Sequence, residues 1–287
     1  KEGEPAWESP WGLGRPGWHI ECSAMSKKYA GCDTLDIHAG GRDLIFPHHE
    51  NEIAQSEALT GHPFAKYWIH HGLLTINGQK MAKSLGNFIT IEEALKKYTS
   101  DDLKLFFLTS HYASSIDYTE EKMAEAKHNR EKLMNFFIRL EDVLEKNGNV
   151  SSSGSIEFID TAKKDFLSAM DDDFNTPKAL AVIFNFITDA NKFMDASLDV
   201  IKDHGDVLAA VRNELDNMLT IVLGLDVVTG TQLKRRLLSE EEKDLLNARI
   251  EARQRKDFQE SDRLRDLLRL KGIVVEDGKG GQTWRRM

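Results

Sequence analysis

Cysteine is nearly absent from this chain: Cys22 and Cys32 are the only two in 287 residues. Two thiols cannot build a disulfide scaffold, which fits a reducing compartment and points to the cytoplasm. Long apolar runs are missing too. None approaches the roughly 20 residues that span a bilayer, so no membrane association is expected. The opening stretch KEGEPAWESPWG has no apolar signal-type segment and no initiating Met. Nothing there suggests secretion, and it reads as the interior of a longer protein. Positive charge is in short supply, with 38 Lys/Arg against 47 Asp/Glu and a net charge of −9, which argues against a general nucleic-acid coat. No internal repeat is visible.

What is present is the composition of a soluble globular protein, 40% hydrophobic and 30% charged, in a chain long enough for two or three domains. The charge is uneven. From Arg249 to Met287 there are 11 Lys/Arg and 7 Asp/Glu, so this tail is +4 and the remainder is −13. A basic tail on an acidic body permits a local contact with a polyanion.

Residues 1–95 alternate short apolar or β-rich runs (GWHIECSA, TLDIHAGG, KYWIHHGLLTI) with helical stretches (IAQSEALTG, TIEEALKKY). That alternation predicts an α/β architecture. The pattern turns helical over 96–146, with Thr119 as an N-cap ahead of Glu120 and Glu121 and a long helix through Leu144. NGNVSSSGS reads as a linker. Helices are predicted over 157–171, 175–196 and 204–224 within a bundle at 157–228, followed by a loop at VVTGTQL. A small unit at 238–287 opens with a capping box, Ser239 and Glu242, on a helix ending near Arg255. A second helix runs over 258–270 and stops at Gly272, and a hairpin punctuated by Gly280-Gly281 ends the chain.

Four stretches carry chemistry. In FPHHENEIAQSEA, residues 46–58, Pro47 suits a first helical position, and His48 and Glu52 project from one helix face as two ligands of one ion would. The plainer reading is a polar helix start with acids near the positive dipole end. His49, three residues from Glu52, is an alternative to His48. In QKMAKSLGNFIT, Lys80 and Lys83 precede Ser84 and Gly86, and a Gly-containing loop with two ammonium groups can wrap a triphosphate; a solvated basic turn would look the same. DIHAGGRDL, with Gly41 and Asp43, could let backbone approach a nucleotide or be an ordinary turn. GRPGWHIECSAM places Cys22 on a strand-like run near Trp18 and His19, where a free thiol is usually a small buried hydrophobe.

In this order and spacing, GRPGWHIECSAM, DIHAGGRDLIFPHHENEIAQSEA and KMAKSLGNFIT resemble the cysteinyl-tRNA synthetases. The resemblance continues through SAMDDDFNTPKAL and ARIEARQRKDFQESDRLRDLL to QTWRRM, covering almost the whole chain. It implies an incomplete Rossmann-type catalytic portion over 1–95 with a zinc site and a KMSKS-type loop. A helical connecting region over 96–146, an all-α bundle over 157–228 and an anticodon-binding helix-plus-hairpin unit over 238–287 would follow. It further implies one zinc ion per chain held by Cys22, His48 and Glu52, ATP with Mg2+ as substrate, and cysteine and tRNA(Cys) as partners of a monomer. Trp18 and His38 match positions lining the amino-acid pocket. Gly41, Asp43, Lys80, Lys83 and Ser84 match the ATP site, with Lys83 meeting the phosphates and Lys80 assisting. Ala82 stands where the family's loop has Ser, and Ala39 where it usually has Gly. The family's other ATP motif and its fourth zinc ligand, a Cys, lie upstream of Lys1. Cys32, in AGCDT, falls away from that ligand's position and reads as structural. In the tail, Arg249, Arg253 and Arg263 offer phosphate-reaching cations and Trp284 a face for an unstacked base, unless Trp284 is simply core and the arginines pair with Asp262 and Asp266. Two other readings compete: a paralogous ligase that passes cysteine to an aminosugar, and a non-catalytic tRNA-binding module.

Overall fold

The computed structural model describes residues 3–147, 157–196, 205–227, 238–278 and 281–286. The linker at 148–155, residue 204, the VVTGTQL loop from residue 228 and Gly280 lie outside them. Two compact units divide the chain: residues 1–89 with 110–119, and residues 90–109 with 120–287.

The first unit is α/β. Strands β1 (Trp7–Ser9) and β2 (Gly12–Gly14) form a short hairpin, and helix α1 covers His19–Met25. Strand β3 (Leu35–Gly41) then runs parallel to β4 (Ala65–His71), in the register Ile37 to Tyr67 and Gly41 to His71. A parallel pair needs a crossover, and helix α2 (Glu50–Thr60) supplies it. Strands β5 (Leu74–Ile76) and β6 (Gln79–Lys80) are joined by Asn77-Gly78, both at positive φ, the conformation that a two-residue hairpin turn requires.

Two sequence expectations fail here. GWHIECSA is a helix rather than a strand. Its alternation of Trp18, Ile20, Cys22 and Ala24 imitates a strand, but packing on α2, with Ser23 Oγ donating to Gln55 Oε1 at 2.9 Å, selects the helix. Within the region read as helical, Ile116–Tyr118 is a strand, β7, parallel to β5. Its partner lies more than 40 residues upstream, and a three-residue segment has no period of its own. Gly72 makes the approach possible: a Cβ there would sit 2.1 Å from the Ser114 carbonyl oxygen. Asp117 then accepts from the Thr75 hydroxyl at 2.6 Å and the Gly78 amide at 2.8 Å, which fixes the turn leading into KMAKS.

The second unit is mostly helical. Helices α3 (Ile91–Lys97) and α4 (Ser100–Leu108) each open on a capping box, Thr90 with Glu93 and Thr99 with Asp102. Helix α5 (Glu120–Asn147) buries Met123, Ala126, Leu133, Phe137 and Leu140, one stripe at three- and four-residue spacing. Helices α6 (Glu157–Asp171), α7 (Thr176–Ala196) and α8 (Gly205–Asp216) complete the bundle, close to the limits read from the sequence. Helix α9 (Glu240–Gln254) carries the Ser239–Glu242 capping box, and α10 (Phe258–Leu270) ends before Gly272, which sits at positive φ. Strands β8 (Ile273–Gly278) and β9 (Gly281–Arg286) form the hairpin. Leu246, Leu268, Ile273 and Val275 make the small core beneath it. Among the described residues, no helix is long and apolar enough to cross a membrane.

Candidate functional site

Phe46 is extended and the chain turns helical from Pro47, so His48 and His49 sit in the turn that leads into α2. Glu52 follows one turn later with its side chain wholly buried. His48 Nε2 lies 2.9 Å from Glu52 Oε1, and His38 Nε2, from β3, lies 2.8 Å from Oε2. Neither contact is aligned as a hydrogen bond, and both carboxylate oxygens are buried. Cys22, brought in by α1, completes a group with His48 and Glu52 whose ligand atoms all lie within 4.8 Å of one another. His38, His49 and Glu52 form a second such group around the other oxygen.

The electrostatics of the group call for a cation. Burial raises the Cys22 thiol pKa, and the charge of Glu52 and the thiol's hydrogen bond to it raise it further. A Cys22 thiolate and the buried Glu52 carboxylate would repel each other, and burying two like charges is costly without a cation to offset them. A divalent ion among thiolate, imidazole and carboxylate removes both penalties, and this donor set suits Zn2+.

Other residues position this group. His19 Nδ1 and His48 Nδ1 are 2.9 Å apart, a contact that orients the His48 ring. The Trp18 ring stacks at a tilt on His48, centroids 4.1 Å apart. His49 Nδ1 meets His70 Nε2 at 2.8 Å, and its ring crosses Gly40 so closely that a Cβ there would fall 2.6 Å from Cε1. Burial lowers the pKa of both His49 and His70, which keeps them neutral. Sequence reasoning missed His70; it lies on a different strand, and only the parallel register sets it beside Gly40.

Gly41 and Asp43 end β3 and begin the next turn, where a Cβ on Gly41 would come within 2.5 Å of Asp43 Oδ1. Lys80 Nζ reaches Asp43 Oδ2 at 3.5 Å, so the KMAKS loop meets the carboxyl ends of the strands. Asn87 ties that loop, accepting from the Ala82 amide at 2.9 Å and donating to the Lys80 carbonyl at 3.1 Å. Ser84 is exposed within the short turn Lys83–Leu85; the Lys83 side chain lies outside the described residues. Cys32, at the far end of β3, is exposed.

The tail departs from its reading. Arg249 is not a phosphate-reaching cation: it is 1% exposed, donating to both Asp277 oxygens at 3.0 and 2.8 Å and to Gln282 at 2.6 Å. It spans from helix to hairpin, so its charge is spent on holding the unit together. Arg253 pairs with the same Asp277 at 2.9 Å but is 42% exposed. Arg263 is exposed and pairs with Glu260, while Asp262 and Asp266 belong to Arg265. Trp284 is half-buried against the small core.

Three family models match in chain order. Residues 1–128 match the tRNA synthetases class I (C) catalytic domain, 165–227 the DALR domain and 235–285 the cysteinyl-tRNA ligase anticodon binding domain. A cysteine–tRNA ligase of Thermodesulfovibrio yellowstonii is 47% identical across 99% of this chain. The chain belongs to the cysteinyl-tRNA synthetase family. Cysteine–tRNA ligases of Anoxybacillus flavithermus and Pseudomonas aeruginosa are 44% and 45% identical over 100% and 99% of it. The chain spans 60%, 60% and 59% of these three relatives. Among solved structures, the LeuRS–tRNA–LeuAMS complex of Agrobacterium radiobacter K84 aligns with a TM-score of 0.59 at 12% identity, covering 79% of this chain and 33% of that one. Mycobacterium tuberculosis methionyl-tRNA synthetase with methionyl-adenylate gives 0.53 at 16% identity, covering 69% and 43%. The fold is accordingly that of a class I, Rossmann-like catalytic portion followed by a mostly helical region.

Proposed function

We propose that this chain carries the larger part of a cytoplasmic, monomeric cysteine–tRNA ligase that activates cysteine with ATP and Mg2+ and loads it onto tRNA(Cys). The observation that carries the reading is the buried carboxylate of Glu52 grouped with Cys22 and His48, their ligand atoms within 4.8 Å of one another, in a chain of this family. One Zn2+ per chain is held by Cys22, His48 and Glu52, and when bound it supplies a soft Lewis acid that prefers a thiolate to a hydroxyl, separating cysteine from serine without a size filter.

The chain's own residues do the remaining work. His19 fixes the His48 ring and Trp18 screens its face from water. Gly41 leaves room for a nucleotide beside β3. Lys80 and Lys83 neutralise the triphosphate as the carboxylate of cysteine attacks the α-phosphorus and pyrophosphate leaves. A ribose hydroxyl of the tRNA end then attacks the acyl carbon and AMP leaves. No side-chain nucleophile is needed; positioning and charge carry the reaction. Residues 96–146 connect the catalytic portion to the bundle at 157–228, and the unit at 238–287 reads the anticodon end through Arg253, Arg263 and Trp284.

The matches over 165–285 favour tRNA over an aminosugar as acceptor. Coverage of about three-fifths of the relatives' length gives the non-catalytic reading its one supporting observation. Cysteine-dependent ATP–pyrophosphate exchange by this polypeptide separates them. Exchange with cysteine and not serine supports the ligase; tRNA(Cys) binding without exchange supports a binding module.

A further inference from the structure

The turn that leads into KMAKS holds a chemically labile pair. Asn77-Gly78 joins β5 to β6, and both residues are exposed and at positive φ. In such a pair the Gly78 backbone nitrogen can attack the side-chain amide carbon of Asn77. Glycine hinders that attack least, because it has no Cβ. No described residue other than its chain neighbours comes within 4 Å of where a Gly78 Cβ would stand. Asp117 opposes the attack. The Gly78 amide donates to Asp117 Oδ1 at 2.8 Å, and the same oxygen accepts from the Thr75 hydroxyl at 2.6 Å. The nitrogen must lose its proton to become a nucleophile. A carboxylate that holds this proton also repels the amide anion its loss would create. Parallel pairing of β7 with β5 keeps Asp117 in place.

We propose that Asn77 is a site of spontaneous deamidation and that Asp117 holds it unreacted in the folded chain. In the reaction the Gly78 nitrogen bonds to Asn77 Cγ, and the bond from Cγ to the side-chain nitrogen breaks. Ammonia leaves, carrying the proton that Gly78 gave up. Water then opens the cyclic imide at one carbonyl or the other, leaving aspartate or isoaspartate. Water is the only co-reactant. Isoaspartate adds a methylene to the main chain inside a two-residue turn. That turn can no longer keep Ile76 in register with Gln79 and Thr75 with Lys80. The modification therefore acts on the placement of Lys80, whose Nζ lies 3.5 Å from Asp43 Oδ2. The chemistry at Asn77 does not depend on the ligase reading.

The test is peptide mass spectrometry on the full chain aged in mildly alkaline buffer, with chromatography to resolve the aspartate and isoaspartate products. Asn147-Gly148, the same dipeptide elsewhere in the chain, is read in every sample as a reference. Wild type should convert Asn77 about tenfold more slowly when folded than in urea, the scale of one hydrogen bond to a charged acceptor. Asp117→Ala should speed the reaction in the folded chain by about the same factor. Asp117→Asn, which keeps an oxygen and removes the charge, should fall between, and Asn147 should not respond to either. Circular dichroism checks that both variants fold. Hydrogen exchange at the Gly78 amide needs no substitution, and it should be slow in the wild type. Equal Asn77 rates in folded and urea-treated wild type overturn the proposal, as does a freely exchanging Gly78 amide. So do folded Asp117 variants that react no faster than wild type, or an Asn77 that stays intact even in urea.

Discussion

His48 and Glu52 face each other across one helical turn at 2.9 Å, both buried, in a contact that is not aligned as a hydrogen bond. Residues four apart on one helix face are also placed as two ligands of one cation would be. The same turn places His49 against Gly40, so two adjacent histidines serve two neighbours and are not interchangeable.

Metal content follows from this. Cys22→Ala and His48→Ala should each lower zinc below one equivalent per chain, as measured by plasma emission spectrometry on the purified protein. His49→Ala should retain it. Full zinc in both of the first two variants would refute the ligand assignment.

Lys83→Ala should slow cysteine-dependent pyrophosphate exchange by roughly two orders of magnitude, the scale of losing one preorganised charge where negative charge develops. Zinc content and the circular dichroism spectrum should not change. Near-normal exchange would make KMAKS a surface turn only.

Asp102 has a structural prediction with a sign. Burial pushes its carboxyl pKa up, but hydrogen bonds from Arg130 and Thr99 together outweigh this and hold it below the ordinary value. Stability from a depressed carboxyl pKa is full above the unfolded-state value, about 3.9, and is lost as pH falls through the folded one. Asp102→Asn leaves Arg130 without its partner and should cost about 3 kcal/mol at neutral pH in urea melts. It should also flatten the stability profile below pH 4 or so. An unchanged midpoint would contradict the importance of this pair.

The tail separates two kinds of arginine. Arg249→Ala should destabilise the C-terminal unit by about 3 kcal/mol, because Asp277 loses a buried partner. Arg253→Ala and Arg263→Ala together should leave the melt within about 0.5 kcal/mol, as surface pairs do, and weaken tRNA(Cys) affinity in filter binding. Removing residues 240–287 should reduce charging strongly and spare pyrophosphate exchange. Loss of exchange in a folded deletion protein, or untouched charging, would remove the anticodon role from this unit.

Much of the fold was determined by local sequence alone. Capping boxes mark their own helices because Ser239 and Glu242 satisfy backbone groups within one turn, whatever surrounds them. The α5 stripe declares its period in the same local way. His48 and Glu52 were legible together because helix geometry puts residues four apart on one face. Tertiary structure decided the rest. Alternating apolar residues made Cys22 look like part of a strand, and contact with α2 made that segment a helix. Strand β7 exists only because Gly72 admits the backbone at Ser114. Arg249 carries the same charge as Arg253, and no local pattern distinguishes them. Only the hairpin folding back onto α9 buries one against Asp277 and leaves the other on the same carboxylate but partly exposed, because burial is a property of distant neighbours in the chain.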